Sequence, residues 1–299
     1  MPSSPSSAER EGRVVSGHGR HVVVEADDGR RILCHARGKK SETVVGDRVL
    51  WQPSGDEGVV EKVLPRRNLL HRQDAWKTKA FAANLDQLLF VVAAEPVFSE
   101  SQLARALIAA EAAGIAAGII LNKQDLSSWP AAAARLAPYP GIGIEVLGVA
   151  LKKEPQEARE KLAPLLAGRS TLVLGPSGAG KSTLVNLLVP DAKAQVGDIS
   201  RALNTGRHTT TATHWYWMEP GRQSALIDSP GFQEFGLRHI ATNELAGLMP
   251  DIGRHAECRF YNCSHEHEPG CGVLAALERG EIAESRYRIY REILAELKP

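Results

Sequence analysis

The chain has 299 residues, 43% of them apolar and 24% charged, and 36 Lys and Arg nearly balance 35 Asp and Glu to leave a net charge of +1. That length suits about two or three domains, and the near-neutral charge excludes a global basic field, so any nucleic-acid binding must come from a local patch. No apolar run approaches the roughly 18 residues of a membrane-spanning helix.

The first residues, Met1-Pro2-Ser3-Ser4-Pro5-Ser6-Ser7-Ala8, lack the basic and apolar regions of a signal peptide, which predicts a disordered tail over 1–11 and a cytoplasmic protein with no membrane partner. Residues 12–68 read as all-β. Short Val-, Ile- and Leu-rich runs alternate with turn residues such as Asp28-Gly29 and Ser54-Gly55-Asp56, the pattern of hairpins. Five strands in so short a span suit an OB-fold barrel, with an SH3-like barrel as the competing arrangement. Cys34 falls in one of these runs and is expected to be an inert, half-buried thiol.

Pro65-Arg66-Arg67-Asn68 reads as a boundary, and over 69–235 the rhythm becomes βα. Leu85 to Ala94 is a continuous apolar run, as a buried parallel strand should be. Ser99 to Ala113 predicts a helix with Ser99 as N-cap and Gly114 as stop. Strands are expected at 117–121, 142–149 and 170–174, with a helix over 155–167. Alternation of this kind specifies a mostly parallel sheet with helices on both faces, so the chain is a multidomain α/β protein. Residues 236–299 predict a small helical domain.

The strongest motif is Gly175-Pro176-Ser177-Gly178-Ala179-Gly180-Lys181-Ser182. It is a P-loop in its proper context, between a strand and a helix start. Its glycines let backbone N–H groups curl around phosphate oxygens, and the helix N-terminus adds its positive dipole end. Lys181 should reach the β- and γ-phosphates, and Ser182 should offer a hydroxyl to Mg2+.

Asn122-Lys123-Gln124-Asp125 follows a strand directly and so projects from the carboxyl edge of the sheet, where ligands bind in such folds. A carboxylate at Asp125 accepts hydrogen bonds only. Guanine offers N1–H and an exocyclic amine side by side, and adenine does not, so Asp125 selects guanine. Asn122 can serve the N7 and O6 side, and the stem of Lys123 can cover the ring.

Asp228-Ser229-Pro230-Gly231 is a DxxG arrangement after another strand. Asp228 would hold Mg2+ through a water, and the Gly231 N–H would contact the γ-phosphate. Between it and the P-loop lies Thr205-Gly206-Arg207-His208-Thr209-Thr210-Thr211, where a first switch loop belongs. One of its last three threonines should complete the magnesium shell; Thr210 is the named candidate, with Thr209 and Thr211 open beside it.

These motifs run in permuted order. The base-reading motif precedes the P-loop, and DxxG comes last, which a sheet tolerates because domain termini usually lie close together. The segment appended after Asp228 is therefore tied to the second switch. It carries Cys258, Cys263, His265 and Cys271. Three thiolates and one imidazole make a closed tetrahedral Zn2+ site, and a thin domain of this size gains from a structural metal. By spacing alone His255, His265 and His267 compete for the fourth position.

A barrel, then the base-reading motif, P-loop and DxxG in that order, then a cysteine-histidine knuckle, resembles the ribosome small-subunit-dependent GTPase A family. The residues that carry the resemblance are Ala83-Asn84-Leu85-Asp86-Gln87, Asn122 to Asp125, Gly175 to Thr183, Gly206 to Thr211, Asp228 to Gly231 and Cys258-x4-Cys263-x-His265-x5-Cys271. The resemblance implies His265 as the fourth zinc ligand. It further implies a GTPase that turns GTP into GDP, is stimulated by the 30S subunit, and acts late in that subunit's maturation through 16S rRNA contacts of the barrel and zinc domains. The expected protein is a monomer with no DNA partner. Phe232 stands where Ras-like enzymes place a water-orienting Gln, so slow intrinsic turnover is expected. His208 is the residue that the resemblance offers for orienting the water, beside Lys181 in catalysis. The alternative is a GTP- or GDP-sensing rRNA-binding module with negligible hydrolysis.

Overall fold

The computed structural model describes residues 9–18, 21–36, 43–73, 78–192, 212–229 and 235–298. Most of the expected tail, His208, Thr209 to Thr211, Gly231 and Phe232 lie outside these residues.

Five strands come first: β1 (Arg10–His18), β2 (His21–Ala26), β3 (Arg31–Ala36), β4 (Arg48–Ser54) and β5 (Glu57–Val63). They pair in the order β1-β2-β3-β5-β4, and β4 returns to β1, with β3 and β5 parallel. This closed order is that of an OB barrel and decides against the SH3-like arrangement. Closure leaves no long free edge. Strand β1 starts two residues inside the expected tail, because Arg10 and Glu11 pair with Trp51 and Leu50 and Arg48 donates to the Glu11 carboxylate at 2.7 Å. Alternate residues Val14, Val22, Val24, Val49, Trp51 and Val60 fill the barrel. Cys34 joins them fully buried rather than half-buried. Gly58 leaves room for it, since a Cβ there would lie 2.6 Å from the Cys34 sulfur. Burial pushes this thiol up to about 12, which suits an inert side chain.

A hairpin of β6 (Leu69–Gln73) and β7 (Thr78–Ala83), which the sequence pattern did not announce, follows the barrel. The boundary residues before it are clamped. Arg66 is paired with buried Asp47 at 2.7 Å, Arg67 with Asp86 at 2.8 Å, and Asn68 exchanges hydrogen bonds with the backbone of Leu85.

The larger sheet adds β8 (Gln87–Ala93), β9 (Ala116–Asn122), β10 (Glu145–Gly148), β11 (Ser170–Leu174), β12 (His214–Trp217) and β13 (Ala225–Asp228). Their order is β10-β9-β8-β11-β13-β12. All neighbours are parallel except β12, which runs antiparallel to β13. Strand β12 also touches β1 through the pair Ser16–His214, which joins barrel and sheet. The third expected strand starts late, because Pro140–Ile142 winds a 3-10 turn that Gly143 ends at φ 82°.

Helices α1 (Glu100–Ala112), α2 (Trp129–Leu136), α3 (Pro155–Leu166) and α4 (Lys181–Leu188) cover the sheet. Ser99 caps α1 by accepting from the Gln102 N–H at 3.2 Å. Every residue of β8 is buried. Leu89 and Val91 pack on one face with Leu162 of α3 and Leu184 of α4. Leu88 and Phe90 pack on the other with Leu103 and Ile108 of α1. Each such side chain contributes about 1.5–3 kcal/mol by leaving water.

The C-terminal region contributes α5 (Pro250–Gly253), α6 (Gly272–Glu278) and α7 (Glu284–Leu297). Ile289, Tyr290 and Ile293 of α7 belong to the same apolar cluster as α1, so this region is seated on the α1 face of the larger sheet. No helix among the described residues is long and apolar enough to cross a membrane.

Candidate nucleotide and metal sites

Parallel strands end on one edge, and this brings the motifs together. The register places Ala93 beside Asn122, Phe90 beside Leu174, and Val173 beside Asp228. The base-reading motif leaves β9, the P-loop leaves β11 and the DxxG aspartate ends β13, all at the carboxyl edge of the sheet.

In the P-loop the backbone requires glycine. Gly175 has φ 145°, and a Cβ there would meet the Val91 carbonyl at 2.0 Å. Gly180 has φ 111°, and a Cβ would strike the Asn122 amide at 2.2 Å. Between them Ser177 and Gly178 are exposed, Pro176 is half-buried, and Ala179 is buried and anchors the loop. Helix α4 then starts at Lys181, with Ser182 and Thr183 exposed in its first turn. Exposed hydroxyls beside orphan helix N–H groups suit a phosphate and its Mg2+. The Lys181 ammonium donates to the carbonyls of Gly175 at 2.6 Å and Pro176 at 2.9 Å, which holds it across the mouth of the loop. Burial lowers its proton affinity and the charge of Asp228 raises it. Burial likewise raises Asp228, against the opposing effects of Lys181 and the Ser229 N–H. Lys181 and Asp228 thus feel each other's charge at the same carboxyl edge.

Asn122 is 4% exposed, and both ends of its carboxamide are engaged. Its amide donates to the Ala179 carbonyl at 2.9 Å, and its oxygen accepts from the Leu151 N–H at 3.1 Å. The reading in which it serves the base edge is therefore joined by a structural duty: it ties the P-loop to the loop after β10. Gln124 and Asp125 stay exposed at the same edge, and the Gln124 N–H bonds the Val149 carbonyl at 3.0 Å. Lys123, at φ 65°, sends its ammonium to the Glu95 carbonyl, while Ser128 donates to the Glu95 carboxylate at 2.7 Å. Pro96, next along, lies 3.4 Å from where a side chain on Gly178 would begin. Glu95 and Pro96 thus support both motifs. Their only sequence signal is a proline at the end of a buried strand.

The thiols of Cys258, Cys263 and Cys271 and one ring nitrogen of His265 lie within 4.8 Å of one another. The sulfurs of Cys258 and Cys271 are 3.7 Å apart, and each is 3.4 Å from His265 Nδ1. A tetrahedron with Zn–S bonds of about 2.3 Å has edges close to these. Backbone N–H groups of Gly272 and Leu274 point at the sulfurs of Cys258 and Cys271, as thiolates require. Burial and the neighbouring thiols push Cys263 up to about 12, so four such groups gather comfortably only around a cation. The donor set fits Zn2+. His267 is exposed and His255 faces Glu281 at 3.8 Å, which leaves His265 as the imidazole ligand. Tyr287 donates to the His265 carbonyl at 2.7 Å and Tyr290 to that of Ser264 at 3.0 Å, so α7 holds the ligand loop.

A P-loop lysine, a carboxylate that feels its charge, and an exposed Asp125 on the same edge of a parallel sheet define a guanine-nucleotide-binding P-loop GTPase with circularly permuted elements. A family model described as RsgA GTPase matches residues 63–238. The small ribosomal subunit biogenesis GTPase RsgA of Variovorax paradoxus is 60% identical over 293 residues, which cover 96% of this chain and 92% of that protein. The protein of the same name from Burkholderia pseudomallei strain K96243 is 53% identical over 299 residues, 99% of this chain and 95% of its own. Among solved structures, YjeQ from Thermotoga maritima has a TM-score of 0.75 at 31% identity and covers 97% of this chain and 99% of its own. YloQ, described as a circularly permuted GTPase, has a TM-score of 0.71 at 26% identity, with 100% and 99% covered. The chain belongs to the RsgA GTPase family and is a GTP hydrolase, with GTP and GDP as substrate and product, Mg2+ as cofactor and one Zn2+ site.

Proposed function

We propose that this GTPase serves the maturation of the small ribosomal subunit: the 30S subunit stimulates its hydrolysis of GTP, and it acts late, through contacts with 16S rRNA, as a cytoplasmic monomer. The observation that carries the reading is the mounting of the nucleotide site. An OB barrel is hydrogen-bonded to the sheet through β1 and β12, and a zinc knuckle is packed on its α1 face. Both are modules that read RNA by shape and unpaired bases. The names of the relatives, small ribosomal subunit biogenesis GTPases, support the same assignment.

In this reading Asp125 selects guanine. Lys181 and the backbone N–H groups of Gly175 and of Ser177 to Thr183 neutralise the charge that grows on the β- and γ-phosphates as water attacks. Ser182, Thr210 and Asp228 are the residues that would hold Mg2+, which would supply charge neutralisation at the phosphates when bound, and the Gly231 N–H would contact the γ-phosphate. His208 orients the attacking water, the duty Phe232 cannot perform.

The test is phosphate release from GTP by the full chain, alone and with purified 30S subunits. Strong stimulation by the subunit is the expected result. Tight nucleotide binding with no turnover in either condition would replace this reading with a nucleotide-sensing module.

A further inference from the structure

The barrel and the GTPase sheet meet along β1 and β12. At the amino-terminal edge of that seam, away from the nucleotide, lies a cavity of about 130 Å3. It is lined by Arg13 of β1, Arg67 before β6, Arg222 and Gln223 of the β12–β13 turn, Trp217 and Asp86, among others. Nothing in the nucleotide or zinc chemistry uses it.

Three guanidinium groups line this space and one carboxylate does, and that carboxylate is already satisfied. Asp86 accepts from Arg67 at 2.8 Å and from the Ser170 N–H and hydroxyl at 2.8 and 2.7 Å. Arg222 approaches Glu25 only to 3.6 Å, and Glu25 is shared with Arg31 at 3.0 Å and the Trp217 indole at 2.6 Å. Arg13 has no carboxylate at ion-pair distance among the described residues. Its guanidinium lies 4.5 Å from the Trp215 ring centre and 5.7 Å from that of Trp217. Burial first, then the charge of Arg48, hold Arg13 below the ordinary arginine value, and Arg67 adds to this while Glu25 and Asp86 oppose it.

A guanidinium carries five N–H donors, and leaving such donors half-buried without acceptors is costly. Stacking on an indole covers its face and leaves the donor fork free for a tetrahedral oxyanion. The half-buried Trp217 beside that fork adds an aromatic surface, and arginine interleaved with aromatics is the chemistry of nucleic-acid contact.

We propose that the seam cavity is a phosphate-binding site, and that its occupant is a backbone phosphate of RNA gripped at once by the barrel and by the β12–β13 hairpin. The RNA half of this inference rests on the proposed function. An occupant held by both Arg13 and Arg222 would tie the barrel to the hairpin whose far end carries Asp228.

The test uses the full chain and the variants Arg13→Gln, Arg13→Lys and Arg222→Gln. Arg222 sits on an exposed turn, so its variant keeps the fold intact should Arg13→Gln lower the melting temperature. Binding to 30S subunits is followed across salt concentrations. Each Gln variant is expected to weaken binding roughly tenfold at low salt and to reduce the slope of log K against log salt by about 1. Arg13→Lys should restore the slope but only part of the affinity, and basal GTP hydrolysis should not change. In a second arm inorganic phosphate is titrated while the indole N–H signals of Trp215 and Trp217 are followed by NMR. Shifts that vanish in Arg13→Gln, with 30S binding unaltered, would keep a phosphate site and overturn its RNA occupant. Unchanged subunit affinity and slope together with unmoved indole signals would overturn the proposal. If the wild-type chain itself failed to bind 30S subunits, the proposed function would fall and the phosphate arm would decide the cavity alone.

Discussion

Asn122 and Ala179 are 57 residues apart in the chain, yet the side-chain amide of one donates to the backbone carbonyl of the other at 2.9 Å. The same side chain accepts from the Leu151 N–H at 3.1 Å. One buried carboxamide thus binds the phosphate end of the site to the base end. Asn122→Ala would orphan a buried carbonyl and a buried N–H, each costing about 1–3 kcal/mol. Affinity for GTP and GDP should fall roughly 30-fold or more, which a fluorescent-nucleotide titration would read. An Asn122→Ala protein that kept wild-type affinity for both would show that the two loops hold their places without this link.

Base selection should reside one turn further on. Asp125 is exposed at the carboxyl edge of the sheet, free to accept from guanine N1–H and the exocyclic amine. Hydrogen bonds to a charged acceptor are worth about 1.5–3 kcal/mol each. Asp125→Asn puts an amine against an amine, so GTP affinity should drop about 100-fold or more. Xanthosine triphosphate, which carries a carbonyl where guanine has its amine, should gain affinity. Competition of each nucleotide against labelled GDP measures both. Equal losses for the two nucleotides would mean that residue 125 supports the loop without reading the base.

How much of this was legible beforehand depended on the range of the interaction. The P-loop, the base-reading motif and the DxxG motif are contiguous, and each follows an apolar strand, so their chemistry could be read from a few residues in context. Strand β11 was placed to the residue because Ser170 and Thr171 lead straight into the apolar run Leu172 to Leu174, which the first P-loop glycine ends. The β6–β7 hairpin was missed: it is stabilised by what it packs against, with Leu70 and Ala82 buried but His71, Arg72 and Lys79 interrupting the pattern. The start of β10 was misplaced because Ile142, Ile144 and Val146 alternate like a strand across a Pro140-Gly141 turn. The bridge from Asn122 to Ala179 and the arginines of the seam cavity are tertiary, and no local period encodes them. Among the zinc ligands, spacing left three histidines in competition; packing chose His265, whose carbonyl Tyr287 holds from α7.

That last contact makes the metal a structural support. The ligand loop between Cys258 and Cys271 has little apolar core of its own, and Phe260 and Tyr261 within it are exposed. The wild-type chain should carry one zinc per molecule by atomic absorption. Cys263→Ser, or treatment with a strong chelator, should release it and loosen the loop, with Tyr287 and Tyr290 losing their carbonyl partners. Tyrosine fluorescence and a lowered first melting transition would report this. Nucleotide binding should persist, since the loop touches neither the P-loop nor Asp125. A metal-free protein with an unaltered melt would remove the zinc from the stability of this region.

A second buried polar pair joins α5 to α7 within the C-terminal region, where Arg286 also meets Tyr139 of the sheet domain. Arg286 of α7 donates to both carboxylate oxygens of Asp251 in α5, at 2.6 and 2.9 Å, and its guanidinium lies 5.0 Å from the Tyr139 ring centre. The two side chains are 4% and 7% exposed. Burying a charge pair contributes little net stability, but removing one partner strands the other in an apolar setting at about 3–5 kcal/mol. Arg286→Leu alone, or Asp251→Leu alone, should therefore lower unfolding free energy by roughly that amount. The double variant Asp251→Leu with Arg286→Leu should lose much less, because no orphan charge remains. Chemical denaturation of the wild type, both single variants and the double variant gives the coupling directly. If the double variant lost the full sum of the two single effects, the pair would not be coupled, and the apolar cluster that holds Ile252 of α5 with Ile289 and Ile293 of α7 would be what joins these helices.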